Sequence, residues 1–285
     1  MLKHLRTVLV LGRMSNLPTV WTNVLAGWFL AGGAWSGELW WLMAGVSLLY
    51  VGGMTLNDAF DVEWDKKHAP QRPVPAGMIS ARTVWLLGWG QMLAGVGVLF
   101  GGTGVSWYFL LALVLAIVLY DWSHKKWKGA VLVMGACRFL VYVVAASAVG
   151  QVSFAVGIFA TGLFFYVWGI TLAARGESCG GKVSWMGKGL LIAPLLVVSG
   201  VMVMTGGQLL WGGAAVLVFI LWLFYALRQL RSTRPDRIGK FVSVLLAGII
   251  LVDLMALAQF GDIFWLICGS LLLLTRLLQR WIPAT

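Results

Sequence analysis

Residues 39–65 read LWWLMAGVSLLYVGGMTLNDAFDVEWD: an apolar run long enough to cross a bilayer, closing on Asn57, Asp58, Asp61, Glu63 and Asp65. A spanning helix needs about 20 mostly apolar residues, and acids at membrane depth are costly enough to mark function. Both fold class and site therefore start here. Working outward, similar runs recur at 17–33, 84–101, 106–121, 130–149, 153–173, 189–205, 209–227, 241–259 and 263–279. The reading is an all-α integral membrane protein of about nine or ten transmembrane helices around a central cavity. Helices are required because a lipid-embedded segment must satisfy its own backbone hydrogen bonds, and the short alternating segments of a barrel are absent. Residues 1–285 are read as one polytopic domain.

Composition agrees. Of 285 residues 60% are hydrophobic and 11% charged, against about 25% charged in a soluble domain. A water-soluble globule is excluded. The net charge of +11 reads as topology and not as nucleic-acid binding, because no soluble face is left to carry a basic patch. Lys and Arg cluster from Lys3 to Arg13, Lys66 to Arg82, Lys125 to Lys128, Arg175 to Lys188, Arg228 to Lys240 and Arg276 to Arg280, whereas the alternate loops hold none. By the positive-inside rule both termini and the acidic segment face the cytoplasm, in a cell inner membrane. The segment before residue 17 reads as an amphipathic lead-in and not as a cleaved signal. Cys137, Cys179 and Cys268 have neither pairing nor zinc-ligand spacing and read as packing residues.

If the helix continues past residue 57, Asn57, Asp58, Asp61 and Asp65 follow three- and four-residue steps on one face, and Glu63 points elsewhere. Three carboxylates and an amide, with no Cys or His beside them in sequence, suit a hard cation such as Mg²⁺. A merely solvated helix end balanced by Lys66, Lys67 and Arg72 is disfavoured, since stacked like charges repel unless a cation stands among them.

Asn57 to Asp65 has the NDxxDxxxD form of the UbiA superfamily of intramembrane prenyltransferases, and residues 71–80, QRPVPAGMIS, resemble its RPxPxGxIS segment. Similarity extends to residues 13–23 and to the basic loop after Tyr120. The resemblance implies that Asp58, Asp61 and Asp65, assisted by Asn57, bind Mg²⁺. That ion would hold the diphosphate of an isoprenoid donor while the prenyl group passes to a lipophilic acceptor in the membrane. Arg72, Lys125 or Lys126, and Arg138 are the diphosphate-binding candidates; the family's loop lysine matches either of the two. Arg138, a cation two turns inside a span, needs an acid, and the aspartate cluster or Glu177 is the expected one. Asn16 and Asn23, seven apart, either line an acceptor pocket or tie helices together. Asp253, deep in a span, is read as structural.

One departure stands out. Where the family carries a second motif, DxxxD, this chain reads Ala173-Ala174-Arg175-Gly176-Glu177. Either Glu177 holds a second Mg²⁺, or Arg175 contacts diphosphate in its place. The variant resembles the UbiA-like EboC group. A non-catalytic carrier of prenyl lipid or metabolite on the same scaffold is the alternative function.

Overall fold

The computed structural model describes residues 2–178, 183–204, 210–234 and 236–284, with side chains omitted at 2–5, 176–178, 203–204 and 210–211. All regular structure among them is helical. In chain order the helices are α1 Leu2–Leu11, α2 Leu17–Leu30, α3 Gly37–Phe60, α4 Val62–His68, α5 Ala81–Gly102, α6 Trp107–Ser123 and α7 Ala130–Ala148. They continue with α8 Phe154–Ser178, α9 Trp185–Leu190, α10 Ala193–Met204, α11 Leu210–Gln229, α12 Arg237–Leu257 and α13 Ile263–Leu278.

Seven stretches among the described residues are long and apolar enough to cross a membrane, with α6 and α13 shorter but apolar. The protein is an integral membrane protein. Among the described residues each of the ten apolar runs falls on helix, nine of them on one and the tenth on two, and seven stretches are long enough to cross. The run at 189–205 is divided between α9 and α10, because Pro194 in the first turn of α10 lacks an N–H to continue α9.

Lipid-facing and inward-facing surfaces separate by residue position. On α5, Leu86, Leu93 and Phe100 recur every seven residues and are exposed, whereas Val84, Met92 and Leu99 are buried. Exposed leucines on such a helix are ordinary in lipid. α12 is enclosed on nearly every face, from Ile238 to Leu257, and serves as the central post against which α2, α8, α11 and α13 lean.

The acidic end of α3 is held by an unusually close neighbour. A Cβ on Gly95 of α5 would lie 2.9 Å from the carbonyl oxygen of Gly45, and one on Gly52 would lie 3.0 Å from that of Gly88. The two helices therefore touch backbone to backbone, which small residues permit. Across the bundle interior, Asp253 on α12 accepts hydrogen bonds from Thr22 and Asn23 of α2 (Asn23 at 2.7 Å) and from Tyr142 of α7 at 2.5 Å. Three donors on one carboxylate satisfy a polar group that would otherwise be costly in the core.

Candidate active site

α3 ends at Phe60 and α4 begins at Val62, with Asp61 capping one and starting the other. The hydrogen-bond ladder nevertheless runs through: Asp61 N–H donates to Asn57 O at 3.0 Å and Asp65 N–H to Asp61 O at 2.8 Å. That continuity keeps Asn57, Asp58, Asp61 and Asp65 on one face. All four are buried, while Glu63 projects outward to Lys66 at 2.7 Å.

The following loop turns back over this face. Arg72 N–H donates to Ala69 O, Ala76 to Arg72 and Met78 to Pro73, and Gly77 takes φ +71°, a conformation that favours glycine. Val74 and Ile79 pin the loop against Leu11, Ala59 and Val84. Ser80 then caps α5 by accepting from Thr83 N–H at 3.1 Å. The consequence is the position of Arg72: its Nη1 lies 2.8 Å from Asp65, 3.7 Å from Asp58 and 3.9 Å from Asp61. Three carboxylates from successive turns thus converge on one cationic nitrogen.

A second basic element comes from the loop after α6. His124 Nε2 stands 3.1 Å and Lys125 Nζ 3.4 Å from the same Asp61 oxygen. Burial pushes the Asp61 carboxyl upward, but His124, Lys125 and Arg72 together outweigh it and hold Asp61 below the usual carboxylate range. Lys126 lies instead over the Trp122 ring, 5.4 Å from its centroid. Between the two lysines, it is Lys125 that reaches the acids.

Arg175 of α8 does not reach them. Its guanidinium donates to Lys128 O at 2.6 Å, Trp127 O at 3.2 Å and His124 O at 3.3 Å, so it latches the loop carrying His124 and Lys125. Ala173, where the family motif expects a carboxylate, is fully enclosed in the apolar core. Glu177 lies in the last turn of α8, and its side chain is outside the described residues, as is Cys179.

Arg138 differs from expectation. It donates to Asn23 Oδ1 at 2.7 Å and Thr19 Oγ1 at 3.0 Å and sits 5.5 Å over the Tyr50 ring. Its hydrogen bonds lead through Asn23 to Asp253, and among the described residues it forms no ion pair with the aspartate cluster. Asn23 is thereby occupied between helices. Asn16 is likewise occupied, donating to Ala284 O at 2.8 Å and accepting from Gln279 at 3.4 Å.

Three residues that the sequence reading did not place at the site belong to it: His124, described above, Arg13 and Asp121. Arg13, with φ +42° the one non-glycine residue of positive φ among those described, donates to Asn57 Oδ1 at 3.4 Å. Asp121 of α6 accepts from Asn57 Nδ2 at 3.1 Å. A buried acid at the end of an apolar run was the available signal for Asp121.

One turn inward from Asn57, a cavity of about 50 Å³ is lined by Tyr50, Gly53, Met54, Ile117 and Arg138 among others. That is room for about one or two waters. Among the described residues no three of His, Cys, Asp and Glu form a ready-made metal cage. The donor chemistry nevertheless fits a hard divalent cation: oxygen ligands only, buried, and already gathered around the Arg72 nitrogen.

The chain belongs to the UbiA prenyltransferase family, whose profile matches residues 19–249. Digeranylgeranylglyceryl phosphate synthase of Metallosphaera sedula is 38% identical over 79 residues, 28% of this chain and 27% of that protein. The Methanopyrus kandleri enzyme of the same name is 28% identical over 130 residues, 45% of this chain and 46% of its own length. These matched stretches therefore span less than half of either relative.

Among solved structures, one described as a digeranylgeranylglyceryl phosphate synthase in membranes superposes with a TM-score of 0.63 at 19% identity, covering 92% of this chain and all of the other. A UbiA homologue from Archaeoglobus fulgidus, bound to GPP and Mg²⁺, gives 0.52 at 14% identity over 95% and 98% of the two chains. At these identities the likeness is one of fold.

Proposed function

We propose that this protein transfers a prenyl group from an isoprenoid diphosphate to a lipophilic acceptor within the membrane, with Mg²⁺ as cofactor. The observation that carries the reading is the convergence of Asp58, Asp61 and Asp65 within 3.9 Å of one cationic nitrogen. It is supported by family membership and by the Mg²⁺ and GPP named for a UbiA homologue of the same fold. The relatives named as digeranylgeranylglyceryl phosphate synthases favour a lipid acceptor, whose identity in this protein is open to test.

Asp58, Asp61 and Asp65, with the Asn57 carbonyl, would hold the ion; bound there, it would neutralise charge on the diphosphate as the C–O bond to the prenyl group breaks. Arg72 and Lys125 stand within reach of the same site and take up leaving-group charge. Arg175 keeps Lys125 in place by fixing its loop. Burial of the three aspartates screens them from water, which strengthens the charge interactions they make. The donor's tail would enter the apolar bundle beside Gly53 and Met54. It requires α3 and α6 to part there, since a Cβ at Gly53 would already meet Ile117 at 2.7 Å.

In this reading nine or ten helices surround the site, which opens with both termini to the cytoplasm of the cell inner membrane. Purified protein in liposomes, given Mg²⁺, prenyl diphosphates and cell-lipid extract, should release pyrophosphate and yield a prenylated lipid by mass spectrometry. Release no greater than that of Asp61→Ala would refute the enzymatic reading.

A second reading, a non-catalytic carrier of prenyl lipid, is favoured by one observation: Ala173 is sealed into the core where a second acidic motif would stand. It expects Mg²⁺-dependent donor binding with no product, and detection of product excludes it.

A further inference from the structure

Asp121 lies in the last turn of α6, an otherwise apolar helix, beside Asn57 on the buried acidic face of α3. Its residue exposure is 2%, and only one of its two carboxylate oxygens is engaged: Oδ1 accepts from Asn57 Nδ2 at 3.1 Å, whereas Oδ2 is buried without a hydrogen-bond partner. Buried carboxylate oxygens left unpaired are costly and ask for an explanation. Asn57, which Asp121 holds, adjoins Asp58 and lies one helical turn from Asp61 on the same buried face, so the surroundings of Asp121 are those of the cation site. With its N–H given to Asp121, the Asn57 amide leaves its carbonyl to Arg13, which donates to it at 3.4 Å.

We propose that Asp121 is a fourth carboxylate of the cation site, orienting Asn57 through Oδ1 and offering Oδ2 to the bound divalent ion. It would supply from α6 the acid that α8 lacks at Ala173. The inference rests on the Mg²⁺ reading of the aspartate cluster given above. A carboxylate with one oxygen held by a neighbouring donor and the other free is suitably arranged for a monodentate ligand, since ligating carboxylates are themselves hydrogen-bonded. The substitution of helix is also physically economical: α6 contacts α3 directly, and Asn57 already joins the two.

The test is divalent-ion affinity, read without turnover. Mn²⁺ binding to the full-length protein in detergent is followed by electron paramagnetic resonance, alone and with a non-hydrolysable geranyl diphosphate analogue. Wild type is compared with Asp121→Asn, Asp121→Ala and Asp61→Asn, each shown to be folded by its melting transition. Asp121→Asn keeps an oxygen for the Asn57 N–H and removes only the anionic ligand.

The expected result is an affinity for Mn²⁺ about tenfold lower in Asp121→Asn, on the scale of lost outer-shell or ligand groups, and at least as low in Asp121→Ala. An affinity in Asp121→Asn within twofold of wild type, with Asp61→Asn clearly weakened, overturns the assignment and leaves the aspartate cluster intact. If Asp121→Ala alone weakens binding, Asp121 merely positions Asn57, and the ligand assignment fails. No change in any variant, Asp61→Asn included, overturns the cation site as a whole.

Discussion

Replacing Arg72 with Gln removes the cation standing among three buried aspartates. Its Nη1 lies 2.8 Å from Asp65, 3.7 Å from Asp58 and 3.9 Å from Asp61, and its side chain is 30% exposed. A unit ion pair at 4 Å is worth about 1 kcal/mol in water and about 4 kcal/mol at an effective dielectric near 20. Breaking a buried pair by removing one partner costs roughly 3–5 kcal/mol, because the other charge is left uncompensated. The partial exposure of Arg72 and the hydrogen bond that Gln can still give Asp65 place the loss at the low end, about 3 kcal/mol. With an unfolding entropy near 2.1 cal/mol/K per residue over 285 residues, that is roughly 5 °C.

Without Arg72 competing for the carboxylates, the variant should bind Mg²⁺ about 100-fold more tightly than wild type, and at concentrations that saturate both proteins this difference returns about 2.7 kcal/mol. Melting followed by the fluorescence of the 17 tryptophans should therefore place Arg72→Gln about 5 °C below wild type in EDTA and close most of the gap at saturating Mg²⁺. A deficit of the same size at every Mg²⁺ concentration would refute the reasoning, because Arg72 would then be packing a loop and not balancing a shared cation site.

Arg175→Ala frees the loop carrying His124 and Lys125; donor affinity should fall about tenfold by isothermal titration, with Arg175→Lys failing to restore it because the three carbonyls need a forked donor. Ala173→Asp puts a carboxylate into a fully enclosed position, so it should destabilise by roughly 3 kcal/mol and leave Mn²⁺ affinity no higher than wild type; a rise in affinity would show that the second motif can be rebuilt. Asp253→Asn sets an amide N–H against donors from Thr22, Asn23 and Tyr142, costing about 1–3 kcal/mol in unfolding titrations without altering Mg²⁺ dependence.

The aspartate face was legible in the sequence because it needs only local information: an apolar run, a helical step of three or four, and acids at its end. The ladder through Asp61 preserves that step even though two helices meet there. Arg138 was legible as an internal cation, but its partners were not. Asn23 lies 115 residues away, and Asp253, on the far side of Asn23, is 230 residues from Asn23. Spacing along one helix carries no information about which other helix it faces. The role of Arg175 was hidden for a related reason, since its acceptors are backbone carbonyls, which every residue possesses. Asp121 is hidden in the sequence because an acid at the last residue of an apolar run looks like an ordinary helix end, and only the fold brings Asn57 beside it.

The central claim is that the α3 aspartates hold a prenyl diphosphate through a divalent cation, whether or not transfer follows. Equilibrium binding of radiolabelled geranyl diphosphate to the protein in nanodiscs, with and without Mg²⁺, tests it most directly. The account predicts saturable binding that requires Mg²⁺ and falls at least tenfold in both Asp61→Ala and Asp65→Ala, with folding intact. Binding of equal strength in EDTA, or unchanged in those two variants, would contradict it.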